Sequence, residues 1–260
     1  MRPTPSPFGR RLRGASLAAA FVLAPLFGSL TARAESLECP ALAPFLLSGA
    51  PFRLHAPHTR RRLSILAIGS SSTEGVAASS PSQAYPAQLV EELAHSYGIK
   101  VEAVNGGVGG ETADQTVARL EATLAATAPD LVLWQVGTND ALRGMDETRF
   151  RAIVREGIDA AAARQAPLIL IDPQVPPSRA HDATYARYAR IIEDEAAARH
   201  VPVVSRFQMM EKLAVSDPQA WRSLLSPDGV HMNDLGYACL ARSLAGPIAD
   251  GLARGGGAAL

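Results

Sequence analysis

The feature that most constrains this chain is an alternation. Five short apolar runs recur along it: LSILAIG (63–69), IKVEAVNG (99–106), DLVLWQVG (130–137), PLILID (167–172) and VPVVSRF (201–207). Between them lie stretches with helical spacing at 82–98, 112–129, 146–165 and 182–200, and one more at 234–253 closes the chain. Runs this apolar read as strands buried on both faces. Strands separated by amphipathic helices pair in parallel through right-handed crossovers. The pattern predicts an α/β fold: a three-layer α/β/α sandwich around a five-stranded parallel sheet. Sites in such sheets form beyond the carboxyl ends of the strands. The segments that follow each strand are therefore where chemistry is sought.

Composition fits one such domain at residues 61–255: the chain has 260 residues, 47% of them hydrophobic and 19% charged. Formal charge is zero, so no nucleic-acid partner is expected. Residues 1–34 read as a secretory signal peptide. A basic RPTPSPFGRRLRG precedes an apolar ASLAAAFVLAPLFGSL, and Ala32 and Ala34 form an A-x-A site. The apolar run is short and broken by Pro25 and Gly28, which argues against a retained anchor. Arg10 and Arg11 hint at a twin-arginine signal, but their flanks fit poorly. Cleavage would remove five arginines and no acid from 25 basic and 25 acidic residues, leaving a net charge of −5. Residues 35–60 show no clear period and are expected to form an extended arm. The only cysteines, Cys39 and Cys239, are expected to pair in an exported chain.

Unusual residues do follow the strands. The first runs into GSSSTEG (69–75), which puts serines at the sheet's carboxyl edge. This is not a G-x-S-x-G elbow, because Thr73 stands where a glycine is required. The second runs into NGGVGGET (105–112), whose glycines let backbone amides approach an anion. It is not a dinucleotide fingerprint, since Thr112 replaces the last glycine and the motif follows the second strand. The third runs into GTND (137–140), where Asn139 offers an uncharged donor. Near the C-terminus, SPDGVHMND (226–234) holds Asp228 and His231 three residues apart. An aspartate so placed can hold the imidazole Nδ1–H and leave Nε2 as a base. In isolation each block also reads as an ordinary loop or helix-entry turn; Asp228, for instance, would then be a helix cap. Together they supply a nucleophile, a base, an orienting group and oxyanion donors, the set that ester hydrolysis requires. No H-E-x-x-H, C-x-x-C or paired histidines point to metal catalysis. His55, His58, His95, His181 and His200 are scattered and read as surface residues, with His181 alone in a rim loop.

In order and spacing these blocks resemble the SGNH/GDSL hydrolases, named for Ser, Gly, Asn and His in four blocks. The resemblance runs from about residue 63 to 245 and implies a flavodoxin-like fold. It assigns the nucleophile to Ser71, the oxyanion glycine to Gly110 with Gly107 and Gly109 as alternatives, and the side-chain donor to Asn139. Asp228 and His231 complete the triad, and the Ser71 amide joins the oxyanion hole. One departure stands out: the aspartate that usually precedes the nucleophile is Ser70 here, so the support of that loop must differ.

The expected function is an exported serine esterase, periplasmic or secreted, that needs no cofactor. Its expected substrate is a small ester or acylated glycan, with no stable membrane insertion after signal cleavage and a monomeric state. Polar rim segments at 140–147, 172–183 and 216–227, the last containing Trp221, favour a short acyl group such as acetyl. A long-chain lipid esterase, lysophospholipase or thioesterase is the alternative, as is a non-hydrolytic carbohydrate-binding or acyltransferase relative.

Overall fold

The computed structural model describes Cys39, residues 52–55 and residues 62–255. The expected signal peptide and most of the expected arm lie outside the described residues. In chain order the strands are β1 (Leu63–Gly69), β2 (Val101–Gly107), β3 (Leu131–Gln135), β4 (Leu168–Ile171) and β5 (Val203–Val204). The helices are α1 (Ser71–Glu74), α2 (Tyr85–Tyr97), α3 (Ala113–Thr127), α4 (Thr138–Leu142), α5 (Glu147–Ala163), α6 (Ala183–Ala198), α7 (Arg206–Ser216), α8 (Pro218–Ser223) and α9 (Asp234–Arg254).

The strands form one parallel sheet in the order β2-β1-β3-β4-β5. All seven residues of β1 are buried, as a central strand covered on both faces requires. Alternate side chains go to opposite layers. Leu63, Ile65 and Ala67 pack with Leu89 and Leu93 of α2 and Leu240 and Leu244 of α9. Leu66 and Ile68 pack with Leu120 of α3, Val154 and Ile158 of α5 and Ile192 of α6. The expected three-layer sandwich follows directly from this period of two. Trp134 of β3 is wholly buried and lies so close to α5 that a Cβ on Gly157 would sit 2.3 Å from its ring. Only glycine leaves space for that helix–sheet approach.

Two expectations need correction. The fifth strand stops at Val204 instead of running to Phe207. Ser205 accepts the Gln208 amide and caps α7, so Arg206 and Phe207 open a helix. Residues 216–227 are not simply a rim loop. Asp217 accepts the Ala220 amide and Pro218 starts α8, which turns Trp221 inward. Trp221 is buried in a third apolar cluster and donates its Nε1–H to the Val175 carbonyl.

Among the described residues, both Cys39 and the 52–55 segment attach the N-terminal side to the domain. Phe52 and Leu54 are buried in the α2/α9 layer, with the Leu54 amide donating to the Gly251 carbonyl. Cys39 and Cys239 are joined in a disulfide, with Cα atoms 5.3 Å apart. Among the described residues no helix is long and apolar enough to cross a membrane.

Candidate active site

The chain leaves β1 toward β2 on one side and reaches β3 on the other. The carboxyl ends of β1 and β3 therefore flank the switch point of the sheet, where open α/β sheets hold ligands. Ser71 follows β1 and Asn139 follows β3.

Ser71 is the first residue of α1, a single turn closed by Gly75 at φ 96°. Gly69 turns the chain out of β1 at φ 152°, where a Cβ would lie 2.6 Å from the Gln135 carbonyl oxygen. The residue between them, Ser70, is buried. Its amide and its hydroxyl both donate to Gln135 Oε1, at 3.0 and 2.9 Å. A neutral amide from β3 thus supports the loop at the position where the resemblance to SGNH/GDSL hydrolases leads one to expect an aspartate.

His231, the candidate base, comes from the loop before α9. Leu225 and Met232 bridge in antiparallel fashion, and the Ser226 amide donates to the His231 carbonyl, closing the loop. Inside it, Asp228 Oδ1 accepts the Ser226 hydroxyl and the Val230 and His231 amides. Asp228 Oδ2 lies 2.7 Å from His231 Nδ1, and His231 Nε2 lies 2.9 Å from Ser71 Oγ. Asp228 is not a helix cap: Asn233 fills that role by accepting the Gly236 amide. Partial burial alone would raise the Asp228 carboxyl. Its hydrogen bonds from Ser226, the His231 ring and two amides outweigh that and hold it well below the usual carboxylate range. An ionised Asp228 favours the tautomer with the proton on Nδ1, leaving Nε2 to accept the serine proton.

The glycine block separates into two jobs. Gly107 packs against α1, where a Cβ would come within 2.0 Å of the Glu74 amide nitrogen. Gly109 and Gly110 instead line a cavity of about 330 Å³ together with Ser71, Asn139, Gln174 and His231. Gly110 has φ 79°, and its carbonyl accepts from Arg143 at 2.7 Å. Among the described residues, the Ser71 and Gly110 amides have no protein acceptor. Asn139 donates one Nδ2 proton to the Glu111 carbonyl at 2.7 Å, and its amide has a second proton to give. Asp140 anchors the same loop by accepting the Ala113 amide at 2.8 Å. Burial pushes its carboxyl up to about 6. Such an arrangement could supply a nucleophile, a base with its orienting carboxylate, and amide donors around one small cavity.

The residues singled out from the sequence are thus located. Ser71, Asp228 and His231 form one hydrogen-bonded chain, Gly110 and Asn139 share its cavity, and the two cysteines are bonded to each other. The residues not foreseen are Gln135, Asp140, Arg143 and Gln174. Gln135 had a visible signal, a polar residue in the apolar run LVLWQV. His181, exposed and at φ 62°, does not line the cavity.

Comparison with known proteins agrees with this architecture. The model of the non-GDSL lipase-like family matches residues 38–254, and the chain belongs to that family. Esterase TesA of Pseudomonas aeruginosa is 31% identical over 133 residues, 51% of this chain and 65% of that protein, just under two thirds of its length. Thioesterase 1/protease 1/lysophospholipase L1 of Escherichia coli is 30% identical over 172 residues, 65% of this chain and 75% of that protein. The crystal structure of TesA superposes with a TM-score of 0.61 at 25% identity, covering 71% of this chain and 97% of that one. The fold is that of the SGNH-type hydrolases.

Proposed function

We propose that this member of the non-GDSL lipase-like family is an exported serine esterase that hydrolyses short-acyl esters. The observation that carries the proposal is the continuous hydrogen-bonded chain from Asp228 through His231 to Ser71, opening on a cavity lined by Gly110 and Asn139. Ser71 Oγ attacks the acyl carbon while His231 Nε2 takes its proton, and Asp228 steadies the imidazolium. The negative oxygen of the tetrahedral intermediate is held by the Ser71 and Gly110 amides and by Asn139 Nδ2. His231 returns the proton to the leaving alcohol, and water attacks the acyl-enzyme by the same route in reverse. No cofactor enters these steps.

The cavity supports the short-acyl assignment. A long alkyl chain is held by a continuous apolar surface. Here the aliphatic lining is confined to two short side chains, Val76 and Val230, beside Gly109 and Gly110. Acetyl fits so short an apolar surface, and an acetylated glycan is the proposed natural ester. The Escherichia coli relative's name includes thioesterase and lysophospholipase, which favours a long-chain thioester or lipid ester as the second reading. Export rests on the basic, apolar and A-x-A segments of residues 1–34, together with a disulfide suited to an oxidising compartment. A monomer acting on small or glycan-borne esters is proposed with it.

The test is a chain-length series of p-nitrophenyl esters, run beside an acetylated polysaccharide, on wild type and Ser71→Ala. The expected result is the highest kcat/KM for acetate or butyrate and a loss of about 10⁴-fold in Ser71→Ala. Fluorophosphonate labelling should likewise require Ser71. A maximum at long chains would transfer the assignment to lipid esters. Acetyl transfer to a sugar in place of water would make the protein a transferase.

A further inference from the structure

Gln174, three residues beyond the end of β4, is 1% exposed. Its side chain meets three separate segments. Oε1 accepts the Ser72 hydroxyl at 3.1 Å and the Thr138 hydroxyl at 3.2 Å. Nε2 donates to the Val230 carbonyl at 3.2 Å. The Val230 oxygen only accepts, so the NH₂ end must face it, which fixes the orientation of the amide. Ser72 adjoins Ser71, Thr138 adjoins Asn139, and Val230 adjoins His231. One buried amide therefore bonds the immediate neighbour of the nucleophile, of the oxyanion donor and of the base. Its own backbone is held in turn: the Tyr185 hydroxyl donates to the Gln174 carbonyl at 2.7 Å, and the Val175 amide donates to Met210 Sδ.

We propose that Gln174 is a positioning residue that sets the mutual register of the nucleophile, oxyanion and base segments. This rests on the proposed triad. Those segments come from β1, β3 and the loop before α9, which are far apart in sequence, and the triad requires hydrogen-bond distance between them. A side chain with an acceptor at one end and a donor at the other is needed to join two hydroxyls to a carbonyl. Glutamine supplies that pattern without charge. A displacement of about 1 Å between catalytic groups can cost on the order of 10²-fold in rate.

A neutral glutamic acid reproduces the same pattern, with its C=O facing the hydroxyls and its O–H facing Val230. Its ionised form turns a charged oxygen toward the Val230 carbonyl and pushes the base loop away. The charged and titratable groups around position 174 are Asp172 on the same segment, Tyr185 of α6, the buried Arg206 of α7, and, across the cavity, His231 and Asp228, which accepts the Val230 amide. Arg206 favours ionisation of a glutamate there, while burial, Asp172 and Asp228 oppose it.

The experiment measures kcat and KM for p-nitrophenyl acetate from acidic to alkaline pH in wild type, Gln174→Glu and Gln174→Met, with melting curves for each. Gln174→Met is expected to lower kcat roughly 10- to 100-fold with KM little changed. Gln174→Glu is expected to gain a descending alkaline limb beyond any shown by wild type. Should Gln174→Met not fold, Gln174→Glu carries the test. Should neither fold, Ser72→Ala combined with Thr138→Val removes two of the same bonds and is expected to give the same kcat-specific loss. Folded variants with wild-type kcat, or a Gln174→Glu profile that is merely scaled down at every pH, would overturn the positioning role and leave the triad intact. A wild type that neither cleaves esters nor labels at Ser71 would remove the triad itself, a separate and recognisable failure.

Discussion

Gln135 Oε1 accepts two hydrogen bonds from one residue, the amide and the hydroxyl of Ser70, immediately before the proposed nucleophile. Both side chains are buried, so these groups have little access to water. Gln135→Leu removes both bonds and leaves a buried N–H and O–H unsatisfied, at about 1–3 kcal/mol each. The melting temperature and kcat should both fall. Ser70→Ala keeps the amide bond and removes only the hydroxyl, so kcat should stay within about tenfold of wild type. If Ser70→Ala abolished labelling while Ser71→Ala retained it, the nucleophile would be Ser70.

Asp228→Asn tests the base. The asparagine Oδ1 can still accept the Val230 and His231 amides, so the loop should keep its shape. Its NH₂, however, faces His231 Nδ1 and favours the tautomer with the proton on Nε2. That nitrogen then cannot take the Ser71 proton. We expect kcat to fall by about 10²- to 10⁴-fold with a near-native melting curve. His231→Ala should be at least as damaging. Full activity in Asp228→Asn would reduce the pair to a loop-closing device.

Asn139 has two tasks in one amide, a tether to the Glu111 carbonyl and a proposed donor to the oxyanion. Asn139→Ala removes both. Loss of one oxyanion donor lowers kcat by about 10²- to 10³-fold and leaves KM nearly unchanged. A lowered melting temperature with unchanged kcat would leave only the tether.

Much of this was legible in the sequence for a physical reason. Buried parallel strands must be apolar throughout, so β1, β3 and β4 announce themselves, and the topology then places Ser71 and Asn139 at one edge. Asp228 and His231 were legible because their contact is local. The end of β5 was misread because Val203, Val204 and Phe207 are all apolar, while a single hydroxyl, that of Ser205, decides where the helix begins. Trp221 was misplaced for a similar reason: polar neighbours suggested a rim, but the cap at Asp217 sets a helix phase that turns the indole inward. Gln135 and Gln174 act through partners 36 to 102 residues away, and no local pattern encodes such contacts.

Asp140 carries a pH prediction. Burial pushes its carboxyl from 3.8 up to about 6, against the opposing bond from the Ala113 amide. Between those values the folded protein holds a proton that the unfolded chain has released. Its contribution to stability therefore falls as pH rises through that window and levels off above it. Asp140→Asn keeps an acceptor for Ala113 and carries no charge. The stability of Asp140→Asn relative to wild type should grow from about pH 4 to 6 and then stay constant. Buried Asp172, pushed up to about 7, gives a slope of the same sign in both proteins and cancels in the difference. Denaturant midpoints across this range are the measurement, and a flat difference would refute it.

The Cys39–Cys239 disulfide should matter for stability and, through α9, for the base. It closes a loop with a sequence separation of 200 and attaches the chain near its N-terminal side to the helix that follows His231. In the chain-entropy model a loop of that length contributes roughly 5 kcal/mol, an upper figure because measured bridges often contribute less. Cys239 is wholly buried in the cluster that also holds Trp221 and Leu224. Asn233, the cap of α9, donates to the Ser223 and Leu225 carbonyls, so the helix start is coupled to the segment that leads into Asp228. Reduction should therefore lower the melting temperature by several degrees or more and lower kcat to a smaller extent. Cys39→Ser should reproduce the loss without reductant, since it leaves the buried Cys239 side chain in place. Melting curves with and without reductant, beside non-reducing peptide mapping, test this. Two alkylatable thiols in the unreduced protein, or a melting temperature indifferent to reductant, would refute this contribution of the disulfide.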